Sequence, residues 1–162
     1  MGFVLIAGGF IACEKAAPYD EAGQMAIDDA IIVQYMKDSS VVATKDPSGL
    51  YYQILKTGKD DGRYDDTTTI WASFSAKILK DSLPYDKSLD GTFKFNLPGY
   101  MPGWKKGVEL AKLEGKVRLL IPSPLAYQQR TVTGGLKTIP PNSILDITLE
   151  ILSIHQKPKS NK

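Results

Sequence analysis

Side chains able to make or break covalent bonds are scarce in this sequence. Its 162 residues include one cysteine, Cys13, and one histidine, His155. A lone cysteine cannot close an intramolecular disulfide or assemble a zinc cluster. A lone histidine leaves no material for a Ser/His/Asp triad, a His general base or a His-rich metal site. No glycine-rich loop opens a helix, so the usual nucleotide-binding signatures are missing. The reading is of a protein with no metal and no cofactor. What the sequence does offer is phenols, aromatic rings and prolines in short clusters. These are Tyr85-Asp86-Lys87-Ser88 followed by Phe93-Lys94-Phe95; Pro102-Gly103-Trp104-Lys105-Lys106-Gly107-Val108; Ile121-Pro122-Ser123-Pro124-Leu125-Ala126-Tyr127; and Ile139-Pro140-Pro141-Asn142-Ser143. Such residues can line an apolar pocket and offer hydrogen bonds at its edge. Each cluster alone also has a plainer reading. Trp104 on a helix face and Phe93 and Phe95 on a strand suit a core, Tyr85-Asp86 suits a turn, and Ile139-Pro140-Pro141 suits a rigid lead into a strand.

The elements that must hold these residues are mostly strands. Leu50 to Leu55 reads as a strand opened by Ser48-Gly49 and closed at Gly58, and Thr67 to Leu79 as a long one. Phe93, Phe95 and Leu97 alternate with polar residues, as do the apolar positions of Lys116 to Ile121. Ser143 to Ile154 is a closing strand that sets Leu145, Ile147, Leu149 and Ile151 against Ile144, Asp146, Thr148 and Glu150. A short helix fits between Gly103 and Leu113, with Trp104, Val108 and Ala111 on one face. Turns rather than crossover helices link the strands, so the class is α+β with an antiparallel sheet.

Upstream, Asp20 to Asp38 has helical spacing. Ile27, Ile31 and Tyr35 recur every fourth residue with Ile32 and Met36 beside them, and Asp28 and Asp29 fall on the opposite side. That stripe packs either on its own domain or on a partner helix in a homodimer. Phe3 to Ala12 is an apolar run too short to cross a bilayer core of about 30 Å as a helix. It suits the apolar region of an export signal. Ending at Phe10-Ile11-Ala12-Cys13, it resembles a bacterial lipoprotein processing site, which implies lipidation of Cys13 and a lipid-anchored place in the cell envelope, periplasmic or outer-membrane. A buried N-terminal strand is the alternative. The expected organisation is a signal over 1–12, a linker and helix over 13–48, a domain over 49–155 and a basic tail over 156–162. Hydrophobic residues at 43%, charged residues at 23% and a net charge of +2 fit a globular chain with no call for nucleic acid.

Taken together, a Gly-Trp helix start, an Ala-Tyr after a proline-containing turn and an Ile-Pro-Pro at these separations resemble the FKBP-type peptidyl-prolyl isomerases from Gly49 to about Ile154. The resemblance implies a bent antiparallel sheet wrapped around the short helix, with an aromatic pocket between them. Trp104 would form the pocket floor, Tyr85, Phe93, Ile139, Ile147 and Phe74 its walls, and Met101 its rim. Tyr127 would present its hydroxyl to a substrate carbonyl, with Asp86 at the edge; these two and Trp104 would carry catalysis. The loop from Gln128 to Thr138 would overhang the site. The implied activity is cis-trans isomerisation of Xaa-Pro bonds in exported proteins. The implied partners are unfolded or proline-containing polypeptides, macrolide inhibitors, and a membrane through the lipid anchor. The sequence departs from the family pattern at Phe74, where Tyr is common, at Tyr85, where Phe is usual, and at Thr138 and Ile147. It also has a short Asp86–Phe93 stretch without Arg. A weakly catalytic holdase and a helix-mediated dimer or scaffold are the other readings.

Overall fold

The apolar runs pair into one six-stranded antiparallel sheet in the order β1-β2-β5-β6-β3-β4. The strands are β1 (Thr44–Lys45), β2 (Tyr51–Lys56), β3 (Thr69–Ile78), β4 (Asp86–Asn96), β5 (Lys116–Ile121) and β6 (Leu145–His155). Among the described residues, two helices, α1 (Glu21–Asp38) and α2 (Pro102–Ala111), and a 3-10 turn at Ser123–Leu125 complete the elements. The computed structural model describes residues 18–59, 64–65 and 67–155. The apolar run ending at Cys13 and the basic tail lie outside the described residues.

Alternation decides which side chains meet. On β6, Leu145, Ile147, Leu149 and Ile151 are fully buried and join Val117, Leu119 and Ile121 of β5 in the main core with Trp104, Val108 and Ala111 of α2. Leu120 points to the other side of β5, yet is buried too. It packs with Ile32, Tyr51, Leu79 and Ile144 in a second, smaller cluster under α1. Both faces of the sheet are therefore covered at β5, which explains its unbroken Leu119-Leu120-Ile121 run. Register shifts interrupt β3–β6 at Trp71/Ala72, β3–β4 at Ala72/Phe74 and β2–β5 at Ile54/Lys56; such bulges bend strands.

Two local expectations need correction. The strand containing Phe93 begins as far back as Asp86, because Leu89 to Thr92 bulge out between the Phe74–Ser88 and Ala72–Phe93 pairs. Gly91 supplies the left-handed backbone there, and the Asp90 carboxylate accepts from Thr92 N–H and from the Ser88 and Thr92 hydroxyls. In α1 the expected stripe is buried at Ile32 and partly at Tyr35 and Met36, but not at Ile27 and Ile31. Ile27 and Ile31 are 56% and 39% exposed, whereas Asp28 is 1% exposed. The buried face runs through Asp28, Asp29, Ile32 and Tyr35, because its carboxylates find donors on the domain. The Asp29 carboxylate accepts from the Tyr51 hydroxyl at 2.6 Å and pairs with Lys45 at 2.5 Å. The Tyr35 hydroxyl accepts from Arg118, whose guanidinium also grips buried Asp146 at 2.8 and 2.9 Å. Hence α1 docks on its own domain.

Candidate functional site

Pro102 starts α2, where its missing N–H costs nothing, and two glycines let the helix lie close on β5. A Cβ at Gly103 would run into Ile121, and one at Gly107 into Leu119. This close seat turns Trp104 (3% exposed) inward, where it meets rings from two strands and from the segment before α2. Phe74, Phe93 and Phe95 approach its ring edge-on, with centroids 5.4, 6.2 and 5.6 Å away, and Tyr100 stacks at 5.6 Å. The indole N–H is buried without an acceptor. All of these rings but Phe95 border a cavity of about 150 Å³ lined by Phe74, Ala76, Tyr85, Asp86, Phe93, Tyr100, Met101, Trp104 and Tyr127. The volume falls well below the ~300–1,000 Å³ of sites for drug-sized ligands and suits a single small ring.

Polar groups gather on one side of this cavity. Burial pushes the Tyr85 phenol well above its ordinary range, and the neighbouring Tyr127 phenol adds to the effect through charge and a hydrogen bond. Burial also raises Tyr127, while its bond with Tyr85 draws it down. The two phenols are thus coupled at the edge of the cavity. Asp86 is exposed at the mouth, and its carboxylate accepts its neighbour Lys87 N–H at 2.8 Å.

Beside the cavity the chain from Gln128 to Thr138 folds back on itself. Val132 and Ile139 exchange backbone hydrogen bonds at 3.0 and 2.9 Å, and Leu136 N–H donates to the Tyr85 carbonyl at 2.6 Å. Gly135 permits this approach, since a Cβ there would meet Tyr85 O at 2.5 Å. The loop leaves a cleft of about 230 Å³ bordered by Tyr85, Asp86, Tyr127 and Ile139, and another of about 600 Å³ that shares Tyr100, Met101 and Tyr127 with the cavity.

Of the expected residues, Phe74, Tyr85, Asp86, Phe93, Met101, Trp104 and Tyr127 border the aromatic cavity. Ile139 is buried and borders the neighbouring cleft instead. Ile147, expected in the wall, is fully buried on the core face of β6 and contributes no surface to either space. The reason is register: Ile147 pairs with Leu119 on one side and Ala76 on the other, under the sheet's inner face. The sequence gives no expectation for Tyr100 or Ala76. The signal for Tyr100 was its place just ahead of the Pro-Gly-Trp helix start, where an aromatic residue can close back over the first turn. Among the described residues no helix is long and apolar enough to cross a membrane.

Comparison with known proteins adds to this geometry. The sequence profile of the FKBP-type peptidyl-prolyl cis-trans isomerases matches residues 62–152. The isomerase FkpA of Escherichia coli is 34% identical over 116 residues, covering 70% of this chain and 41% of that protein. A probable FKBP-type isomerase of Haemophilus influenzae is 31% identical over 155 residues, covering 94% of this chain and 61% of the relative. The chain thus spans about two-fifths of the length of FkpA and three-fifths of the Haemophilus protein. The crystal structure of Escherichia coli FkpA superposes with a TM-score of 0.65 at 28% identity, over 85% of this chain and 64% of that one. The α+β fold, the aromatic cavity on α2 and the profile match agree: the chain belongs to the family of FKBP-type peptidyl-prolyl cis-trans isomerases.

Proposed function

We propose that this protein is a peptidyl-prolyl cis-trans isomerase that takes the proline ring of an Xaa-Pro peptide into the cavity over Trp104. The observation that carries the reading is a small aromatic cavity floored by Trp104 and edged by a phenol, Tyr127. Turning an Xaa-Pro bond means breaking amide resonance, against a barrier of about 18–20 kcal/mol for peptide bonds. Unaided, it takes tens to hundreds of seconds. No bond to carbon breaks, so the reaction asks for neither nucleophile nor external base. The twisted amide has lost conjugation and is less polar than the planar one, so an apolar cavity favours it. Phe74, Phe93 and Trp104 supply that surface. The Tyr127 hydroxyl holds a flanking carbonyl while the bond turns, with the Tyr85 phenol beside it. Asp86 stands at the mouth toward the peptide backbone. The isomerase unit is taken as residues 49–155, and the same cavity is the expected seat of the family's macrolide inhibitors.

The test is cis-to-trans turnover of short Xaa-Pro peptides by the full chain beside Tyr127→Phe. One lost hydrogen bond of about 1–1.5 kcal/mol predicts a loss of about tenfold in kcat/KM for the variant. A folded wild-type chain with no turnover would overturn the reading. Exposed Leu83 and Leu136, at 71% and 69%, flank the site and favour a second role in holding unfolded chains. Suppression of aggregation at substoichiometric peptide competitor measures that role separately. Exposed Ile27 and Ile31 keep a helix-mediated dimer open, which sedimentation over a concentration series decides. Placement in the bacterial envelope, for folding of exported proteins, rests on the run ending at Cys13. Lipid labelling that survives Cys13→Ala would sink that part.

A further inference from the structure

Asp28 is a carboxylate buried on a helix that the proposed reaction does not use. It is 1% exposed, and Ser123, which it meets, is 0% exposed. One Asp28 oxygen accepts both the Ser123 N–H and the Ser123 hydroxyl, each at 2.6 Å, and the other accepts the Gln24 side-chain amide at 2.7 Å. A buried carboxylate is costly unless hydrogen bonds replace its water. Here two of them come from a single residue, ninety-five positions away in sequence. An apolar side chain one turn before Ile32 would have covered the sheet without that cost.

Ser123 opens the 3-10 turn that leads to Tyr127. The turn's own flanking residue, Pro122, provides no side-chain cap. Asp28 therefore caps it from another element, placing an anion on an N–H that the turn leaves unbonded. The Ser123 carbonyl in turn accepts the Ala126 N–H at 3.0 Å and the Gln128 N–H at 2.9 Å. Those two residues bracket Tyr127. Gln128 is held in a left-handed conformation (φ 56°), and its carbonyl accepts from Asn142 N–H at 2.7 Å. A shift at Ser123 is thus delivered to Tyr127 from both sides, with the far end of the turn fixed.

We propose that Asp28 is a positioning residue for Tyr127: from α1 it caps the Ser123–Leu125 turn and fixes the backbone that aims the Tyr127 phenol into the aromatic cavity. The N-terminal helix is then part of the site's framework. The kinetic consequence rests on the isomerase reading; the structural one does not. A misplacement of about 1 Å in a positioned group can cost up to about a hundredfold in rate.

The experiment measures kcat, KM and thermal midpoint in the full chain for Asp28→Ala, Asp28→Asn, Tyr127→Phe, the Asp28→Ala/Tyr127→Phe double variant, and Ile32→Ala. Ile32→Ala loosens α1 without touching the carboxylate. Expected are a fall of about tenfold in kcat for Asp28→Ala with KM little changed, and partial rescue by Asp28→Asn, which keeps one acceptor oxygen. Asp28→Ala should also have little further effect once Tyr127 is Phe. Effects that simply multiply in the double variant, or an equal fall in kcat for Ile32→Ala at a matched thermal midpoint, would overturn the proposal. If the wild-type chain shows no turnover, the isomerase reading fails, and the proposal is decided by amide and ring resonances instead. Asp28→Ala must then shift the signals of Ser123 and Tyr127 while Ile32→Ala does not; unchanged signals would reject it.

Discussion

Trp104 illustrates how one residue serves packing and site together. Its ring contacts Phe74, Phe93, Phe95 and Tyr100, so truncation to Ala should cost about 3–5 kcal/mol and empty the cavity floor. That variant would confuse loss of fold with loss of function. Trp104→Phe is the cleaner probe, because the indole N–H has no acceptor to lose. The expected result is a stability loss below that of Trp104→Ala by chemical denaturation, with peptide turnover reduced but measurable. Equal destabilisation by the two variants would mean that the indole's size, rather than an aromatic ring as such, holds the cluster together. That Trp104, Phe93 and Tyr127 would border one cavity was legible only in combination, since each alone fits an ordinary core. Ile147 was misassigned for the complementary reason: alternation places it on the inner face of β6, but only the packing of α2 decides which inner-face residues border empty space.

Among the elements, α1 is held by polar ties as well as by the apolar cluster around Ile32. The Arg118 guanidinium lies between Asp146 on β6 and the Tyr35 hydroxyl on α1, and Asp146 is 3% exposed. Removing the guanidinium strips two hydrogen bonds from a buried carboxylate and leaves it the Lys77 ammonium at 3.7 Å. Arg118→Ala should therefore destabilise in urea melts, by less than the ~3–5 kcal/mol of a buried charge left with no partner. A double change, Arg118→Met with Asp146→Leu, should recover much of that loss, because it removes the charge that needed compensation. A double variant no more stable than Arg118→Ala would show that the tie to Tyr35, rather than the buried charge, carries the effect. The helical spacing of 20–38 was readable in the sequence, and so were Ile32, Tyr35 and Met36 on its buried face, but the rest of that face was not. Apolar spacing points to Ile27 and Ile31, whereas the donors that bury Asp28 and Asp29 sit on Ser123, Tyr51 and Lys45, remote in the chain.

For the whole molecule, buried phenols set the alkaline limit of stability. Tyr51 is pushed up to about 12 by burial and by its bond to Asp29, and burial raises Tyr85, Tyr100 and Tyr127 as well. In the unfolded chain these groups titrate near about 10. Above that pH the unfolded state releases protons that the folded state retains, so stability is whole below about pH 10 and falls as pH rises toward 12. On the acid side, Lys45 and then Tyr51 hold the Asp29 carboxyl below its usual range, and that contribution, present above about pH 4, is lost as pH falls. Denaturation midpoints should thus be flat near neutrality and drop beyond about pH 10, with a shallower drop in Tyr51→Phe. An unchanged alkaline slope in that variant would remove Tyr51 from the account. The sequence by itself determined the α+β class, the strand alternation, the short helix and the family, because those follow from local periodicity and from clusters of neighbouring residues. Only the tertiary structure decided the bulge ahead of Phe93, the part played by Tyr100, the removal of Ile147 from the pocket wall and the burial of Asp28. Each of these depends on partners distant in the chain, and a side chain's own neighbours carry no record of which remote donor or ring it will meet.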